Sequence, residues 1–168
     1  MANNPLNNKY CARATWDAST QTITNGGSMS PNAGSVWIPE GALITNAYYY
    51  VTTTFTDDDG GDSSTLALGY TGATGAFVAA IAVSATGTNG VASGQWDAGV
   101  HGTLVGFAGG LDEGDDAGTA LENIQSKAVT LVQTTADVEL LLTIGNERDV
   151  ARGKLDLYVE YVMTGKIA

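Results

Sequence analysis

The chain has a single histidine, His101, within the run Trp96-Asp-Ala-Gly-Val-His-Gly102. An imidazole titrates near neutrality, so it could serve as a general base or as the middle member of a Ser-His-Asp triad. Serine and aspartate are plentiful, and counting alone leaves a triad open. No Gly-x-Ser-x-Gly elbow is present, however, and nothing in the surrounding glycine-rich segment would orient the ring. The default reading is a packed or hydrogen-bonded histidine without a catalytic duty.

Two acidic clusters are the next candidates: Asp57, Asp58, Asp59 and Asp62, then Asp112, Glu113, Asp115 and Asp116. Carboxylates in glycine-rich loops could hold Ca²⁺. The loop 57–62 lacks the alternating ligand pattern of an EF-hand, and both it and 112–116 lack a glutamate at the right distance. Solvated loop tips are the simpler reading. Paired carboxylates can also hydrolyse glycosides, but that needs a cleft with aromatic platforms, and the sequence does not mark one. Gly72-Ala-Thr-Gly75 and Gly106-Phe-Ala-Gly-Gly110 are not phosphate loops, because no Gly-Lys-Ser/Thr follows either. Tyr48, Tyr49 and Tyr50 could stack on carbohydrate, yet consecutive strand residues point to opposite faces and cannot form one platform. No catalytic residue, metal ligand or cofactor site is expected, and the chain is read as a non-enzyme.

Those residues must be placed by strands. Residues 38–56 read as a Pro-Glu-Gly turn followed by a run of β-branched and aromatic residues, which fit a pleated, half-buried surface. One face carries Leu43, Thr45, Ala47, Tyr49, Val51, Thr53 and Phe55. The other carries Ile44, Asn46, Tyr48, Tyr50, Thr52 and Thr54. Past the acidic loop, Thr65 to Tyr70 reads as a second strand with Leu66, Leu68 and Tyr70 on one face. The two strands are expected to pair as a hairpin. Gln21 to Thr24 reads as a short strand, with a loop over 25–34. Residues 76–85 are alanine-rich, and a short helix is favoured there. Residues 86–123 read as loops. Strands return at 128–133, at 137–144 with Val138, Leu140, Leu142 and Ile144 on one face, and at 153–163 with Leu155, Leu157, Val159, Tyr161 and Met163 inward. The expected architecture is all-β: a single β-sandwich of jelly-roll type over residues 16–168, with an extended N-terminal arm over 1–15.

Composition narrows the partners. The 168 residues carry 18 acids against 7 bases, a net charge of −11. A phosphate backbone would repel such a chain, and no basic patch suits an anionic membrane, so neither nucleic acid nor membrane is an expected partner. The lone cysteine, Cys11, excludes an intrachain disulfide framework. No apolar run reaches membrane-span length, and residues 1–9 lack the apolar core of a secretory signal, so cytoplasmic synthesis and assembly are expected. Within the arm, Lys9, Tyr10 and Arg13 are locally basic and aromatic. With Trp16 they are candidate partner-binding anchors; a frayed terminus is the alternative. Trp96 and Phe107, in the long glycine-rich stretch, need cover from a core or from a neighbouring subunit, and they join Lys9, Tyr10, Arg13 and Trp16 as candidate partner-binding residues. Assembly as a trimer or on a lattice is the expectation.

The stretch Ile38-Pro-Glu-Gly-Ala-Leu-Ile-Thr-Asn-Ala-Tyr-Tyr-Tyr-Val-Thr-Thr-Thr-Phe-Thr56 and the following Thr65-Leu-Ala-Leu-Gly69 resemble small structural proteins of tailed bacteriophages encoded beside the major capsid protein. Trp96 to Gly102 and Ala151-Arg-Gly-Lys-Leu-Asp-Leu-Tyr-Val-Glu-Tyr-Val162 fit the same pattern. The resemblance spans about residues 36–163 and carries no catalytic motif. It implies a virion component, foremost a head decoration (cement) protein that sits on the capsid exterior as a homotrimer and binds the major capsid protein. A tail or fibre component and a carbohydrate-binding β-sandwich module are the alternatives.

Overall fold

Apolar and polar residues alternate along the long strands with the period of two that a half-buried sheet demands. The computed structural model describes residues 9–23, 26–57, 64–83, 96, 98–102, 132–145 and 150–164, and every regular element among them is a strand. In chain order these are β1 (Lys9–Asp17), β2 (Gly27–Met29), β3 (Trp37–Ile38), β4 (Ala42–Asp57), β5 (Thr65–Tyr70), β6 (Ala73–Ala82), β7 (Gly99–Gly102), β8 (Val132–Gln133), β9 (Val138–Gly145) and β10 (Val150–Met163).

The strands form two antiparallel sheets. One has the order β1-β10-β4-β7, with β8 also on β4; the other has the order β2-β9-β5-β6, with β3 also on β9. The pairing is nested. β5 pairs with β6, β4 with β7, β2 and β3 with β9, and β1 with β10. A chain paired in this way is one long hairpin folded over and rolled, with alternate strand pairs falling in opposite sheets. This is the jelly-roll arrangement of a β-sandwich, and it matches the expected fold class.

Several local expectations are corrected. β4 and β5 do not pair; they sit in different sheets, and the tight hairpin is β5–β6, turning at Thr71 and Gly72. Of the helix favoured over 76–85, the described residues to Ala82 belong instead to strand β6, whose backbone pairs with β5. Residues 99–102, expected in a loop, are β7. The expected loop over 25–34 contains β2, and among the described residues of the expected strand over 21–24 there is an isolated Ile23–Val150 bridge. Residues 9–15 of the expected extended arm make up most of β1 and pair with β10 without a register break. Of the 128–133 strand, only β8 lies within the described residues.

The core lies between the sheets. Leu155, Leu157 and Val159 of β10 meet Leu66 and Leu68 of β5 and Leu140, Leu142 and Ile144 of β9, all buried. Along β4 the buried phase changes. Ala42 and Ile44 are buried, then Ala47, Tyr49 and Val51. Asn46 opposes Glu160 whereas Ile44 opposes Tyr161, so one extra residue, Thr45, is accommodated there. A one-residue slip turns every later side chain to the other face, which is why Ile44, expected outward, is in the core.

Two glycines are required by geometry. Gly41 has φ 81° in the turn that Ala42 N closes on Pro39 O, and a type II turn needs positive φ at that position. Thr134 is buried beneath this turn, and its hydroxyl donates to Pro39 O at 2.7 Å. Gly153 has φ 140° at a register break between β10 and β4, and a Cβ there would lie 2.1 Å from Phe55 Cδ1. Gly153→Ala is therefore expected to cost about 3 kcal/mol from backbone strain and overpacking combined. Chemical denaturation checks this, and Phe55→Leu in the same chain should recover part of the loss. An unchanged denaturation midpoint for Gly153→Ala would refute the account.

Candidate functional site

The outer face of the β1-β10-β4 sheet brings together charged side chains of β1 and β10 and tyrosines of β4 and β10. Odd residues of β1 and even residues of β10 point there, because their partners Ala14, Trp16, Leu155 and Leu157 fill the core. Three ion pairs cross from β1 to β10: Lys9 with Glu160, Arg13 with Asp156, and Asp17 with Lys154. Arg13 Nη2 donates to Asp156 Oδ2 at 2.9 Å, and the Thr15 hydroxyl donates to Asp156 Oδ1. Asp156 is buried although it faces outward, so these two donors satisfy a carboxylate that would otherwise be costly to desolvate. The Arg13 end of the pair is exposed and screened by solvent, so the pair itself adds little to stability.

Aromatic rings continue the face. Tyr48 of β4 stacks on Tyr158 of β10, with centroids 5.0 Å apart and planes 12° apart. The Arg13 guanidinium lies 5.7 Å from the Tyr158 ring centroid. Tyr50, also on the outer side, is 42% exposed. At the open end of the same strand pair, Tyr10 stacks on Tyr161 at 5.4 Å. In the β4–β10 stack each of the Tyr48 and Tyr158 rings turns one face to the other.

The six expected partner-binding residues separate into groups. Lys9, Tyr10 and Arg13 come together on the exposed first half of β1. Trp16 and Trp96 do not join them: both are fully buried in the chain's own core, and this corrects their assignment as partner anchors. The Trp16 indole N–H donates to Met29 O at 3.1 Å, and that of Trp96 to Ile81 O at 3.2 Å. Trp96 also packs against Tyr49 and Phe55, with centroids 5.7 and 6.1 Å away. The large apolar group in the glycine-rich stretch thus finds its cover within the chain. Phe107 lies outside the described residues, as do the acidic loop 112–116 and residues 58–62.

His101 is in β7, in register with Tyr49. Among the described residues, no three His, Cys, Asp or Glu side chains gather where they could hold a metal ion. Tyr158 and Asp156 were not singled out from the sequence, although the alternation Lys154, Asp156, Tyr158, Glu160 already put them on the solvent side. Trp37 on β3 was also missed; it is 51% exposed on the outside of the other sheet, and its neighbour Ile38 is buried.

No protein-family model matches this chain, and no curated protein matches it by sequence. Solved structures match its fold. A chain of the acidic stable capsid structure of Helicobacter pylori bacteriophage KHP30 is 13% identical, with a TM-score of 0.51, over 95% of this chain and 90% of that one. A chain of the cyanophage Pam1 capsid asymmetric unit is 14% identical, with a TM-score of 0.50, over 93% and 85%. A chain of the capsid of Ralstonia phage GP4 is 13% identical, with a TM-score of 0.51, over 99% and 91%. At these identities the likeness is one of fold.

The ion pairs set an acid limit on this face. Asp17 is held down to about 2, first by hydrogen bonding from Ser19 and then by Lys154, against an ordinary 3.8. Lys9, ahead of Asn46, likewise holds Glu160 below the usual carboxylate range. A carboxylate depressed in the folded state stabilises the fold above its unfolded value and loses that contribution as pH falls through the folded value. Thermal melts between pH 4 and pH 2 should therefore fall more steeply for the natural chain than for Asp17→Asn. The two should converge near the acid end. Parallel curves across that window would rule Asp17 out.

Proposed function

We propose that this chain is a non-enzymatic structural protein of a bacteriophage virion that binds the capsid lattice as a decoration, or cement, protein. The observation that carries the reading is the nested jelly roll, alike over nearly the whole chain to chains of three phage capsid structures. The sequence resemblance to small phage head proteins points the same way. The described surface supports it too, since its side chains suit contact rather than chemistry: a face of paired charges and tyrosines and an exposed tryptophan.

In this reading the protein sits on the capsid exterior as a homotrimer and bridges subunits of the major capsid protein after assembly in the host cytoplasm. Lys9, Tyr10 and Arg13 of β1 contact the shell. Each copy would contribute a contact of ordinary size, about 1,200–2,000 Å² in total. Many copies, and the linkage of three in one oligomer, would raise the effective concentration of every contact. A carbohydrate-binding role is less well supported, because the exposed Tyr50 and Trp37 belong to different sheets and form no shared platform.

Shells stripped of this protein and shells with it restored should differ in the temperature and osmotic shock at which they burst, with decoration raising both. Identical bursting would sink the cement role. Light scattering on the purified protein at micromolar concentration should give the mass of a trimer, and a clean monomer would remove that part of the reading.

A further inference from the structure

Among the described residues the two sheets have several edges, and all but one are blunted. β2, β3, β7 and β8 are two to four residues long. β6 is longer, but its pairing with β5 is broken twice by register shifts. Short strands and bulges are the usual protections of a sheet edge. β1 has neither: it runs for nine residues in unbroken register with β10, and among the described residues no strand pairs with its other side.

The backbone direction of β1 follows from its neighbours. Thr15 O accepts from Asn32 N at 2.9 Å, and Asp17 N donates to Asn32 Oδ1 at 2.7 Å, both on the side away from β10. Alternation along an extended strand puts the N–H and C=O of Lys9, Cys11 and Arg13 on that same side. Asn32 thus closes the edge at its second half, and the first half keeps its row of donors and acceptors unfilled among the described residues. The side chains beside that row are of two kinds. Lys9 and Arg13 project on the outer side, 60% and 59% exposed even while paired, on a chain of net charge −11. Tyr10, 42% exposed, forms an aromatic ledge on the other side.

We propose that the free edge of β1 at Lys9, Cys11 and Arg13 is a strand-addition site. It takes an extended segment of another protein whose alternate side chains are acidic toward Lys9 and Arg13 and apolar toward Tyr10. Main-chain hydrogen bonds supply the affinity and the two rows of side chains the selectivity. A second copy of this edge is a poor occupant: antiparallel pairing about Cys11 sets Lys9 opposite Arg13, and like charges directly opposite destabilise a pair. The inference rests on the lattice-binding reading only for the identity of the protein that brings the strand, a subunit of the shell.

The test uses the full chain and a short blocked peptide that alternates glutamate with valine, followed by amide exchange at single residues. The amides of Cys11 and Arg13 should slow by about tenfold or more on addition of the peptide. Cys11→Pro removes a donor that β10 does not use and places a ring on the free edge, a position where proline is tolerated. Its melting temperature should match that of Cys11→Ser, while its peptide affinity should fall by about tenfold or more, the cost of roughly one hydrogen bond plus a clash. A peptide with lysine in place of glutamate should bind correspondingly weaker. Unslowed amides, or equal binding by the proline and serine variants, overturns the proposal. Because bare-shell binding by the natural chain is measured separately, loss of the edge site and loss of the lattice role give different results: shells bound equally by both variants keep the second and discard the first.

Discussion

The pairing of β1 with β10 is the constraint on which the other elements depend. It joins Lys9 to Val162 and closes nearly the whole chain into one loop. Every other pair is nested inside it, down to the β5–β6 hairpin. Closing a long loop costs only slowly more entropy as length grows, but that cost falls before the distant contacts repay it. The outer pair is therefore built to repay it on both faces. Inward, Ala14 and Trp16 meet the core against Leu155 and Leu157. Outward, the three ion pairs and the doubly bonded Asp156 hold the same two strands in register. Trp16 reaches Met29 with its indole N–H, so the strand that closes one sheet is also tied to the edge of the other.

Strands that alternate cleanly were legible in the sequence. β9 and β10 lie close to the expected 137–144 and 153–163, because each has one face in the core and one outside. β5 was found although it is buried on both faces, since a six-residue run between turn signals reads as a strand without any period. β6 misled because its alanines carry helical propensity while its fate was settled by the edge of β5 beside it. The partner of β4 was misjudged for a related reason. Adjacent strands usually pair, but in a rolled hairpin only the innermost two do, and nothing local to residues 42–70 says how far the nesting extends. Ile44 shows the same limit on a smaller scale: the bulge at Thr45 belongs to two strands far apart in sequence.

The candidate face was half legible. Lys9, Tyr10 and Arg13 stood out as basic and aromatic residues on an acidic chain; Lys9 and Arg13 share the outer face, and Tyr10 is on the other side of the same strand. That they lie on a strand rather than a loose arm depends on β10, which is remote in sequence. Trp16 and Trp96 looked like anchors because large aromatic residues are enriched at interfaces, yet they are equally the residues that fill a core. Burial decides between those roles, and burial is a property of the assembled sandwich. Tyr48 and Tyr158 are similar: each is outward on its own strand, and only the β4–β10 register makes them a stack.

The placement of the two ends of the described chain has a mechanical consequence. Lys9 and Val162 are neighbours at one end of an antiparallel pair. A pull applied to those two points would load the hydrogen bonds between β1 and β10 one after another, as in a zipper, rather than all together as in shear. Such a pair yields at low force even where its thermodynamic stability is high. Tension transmitted across the broad face of the sheet, over Tyr48, Tyr158 and Arg13, would instead be shared by β1, β10 and β4 at once. A protein of this topology resists stretching best when it is gripped by its face and worst when it is held by its ends.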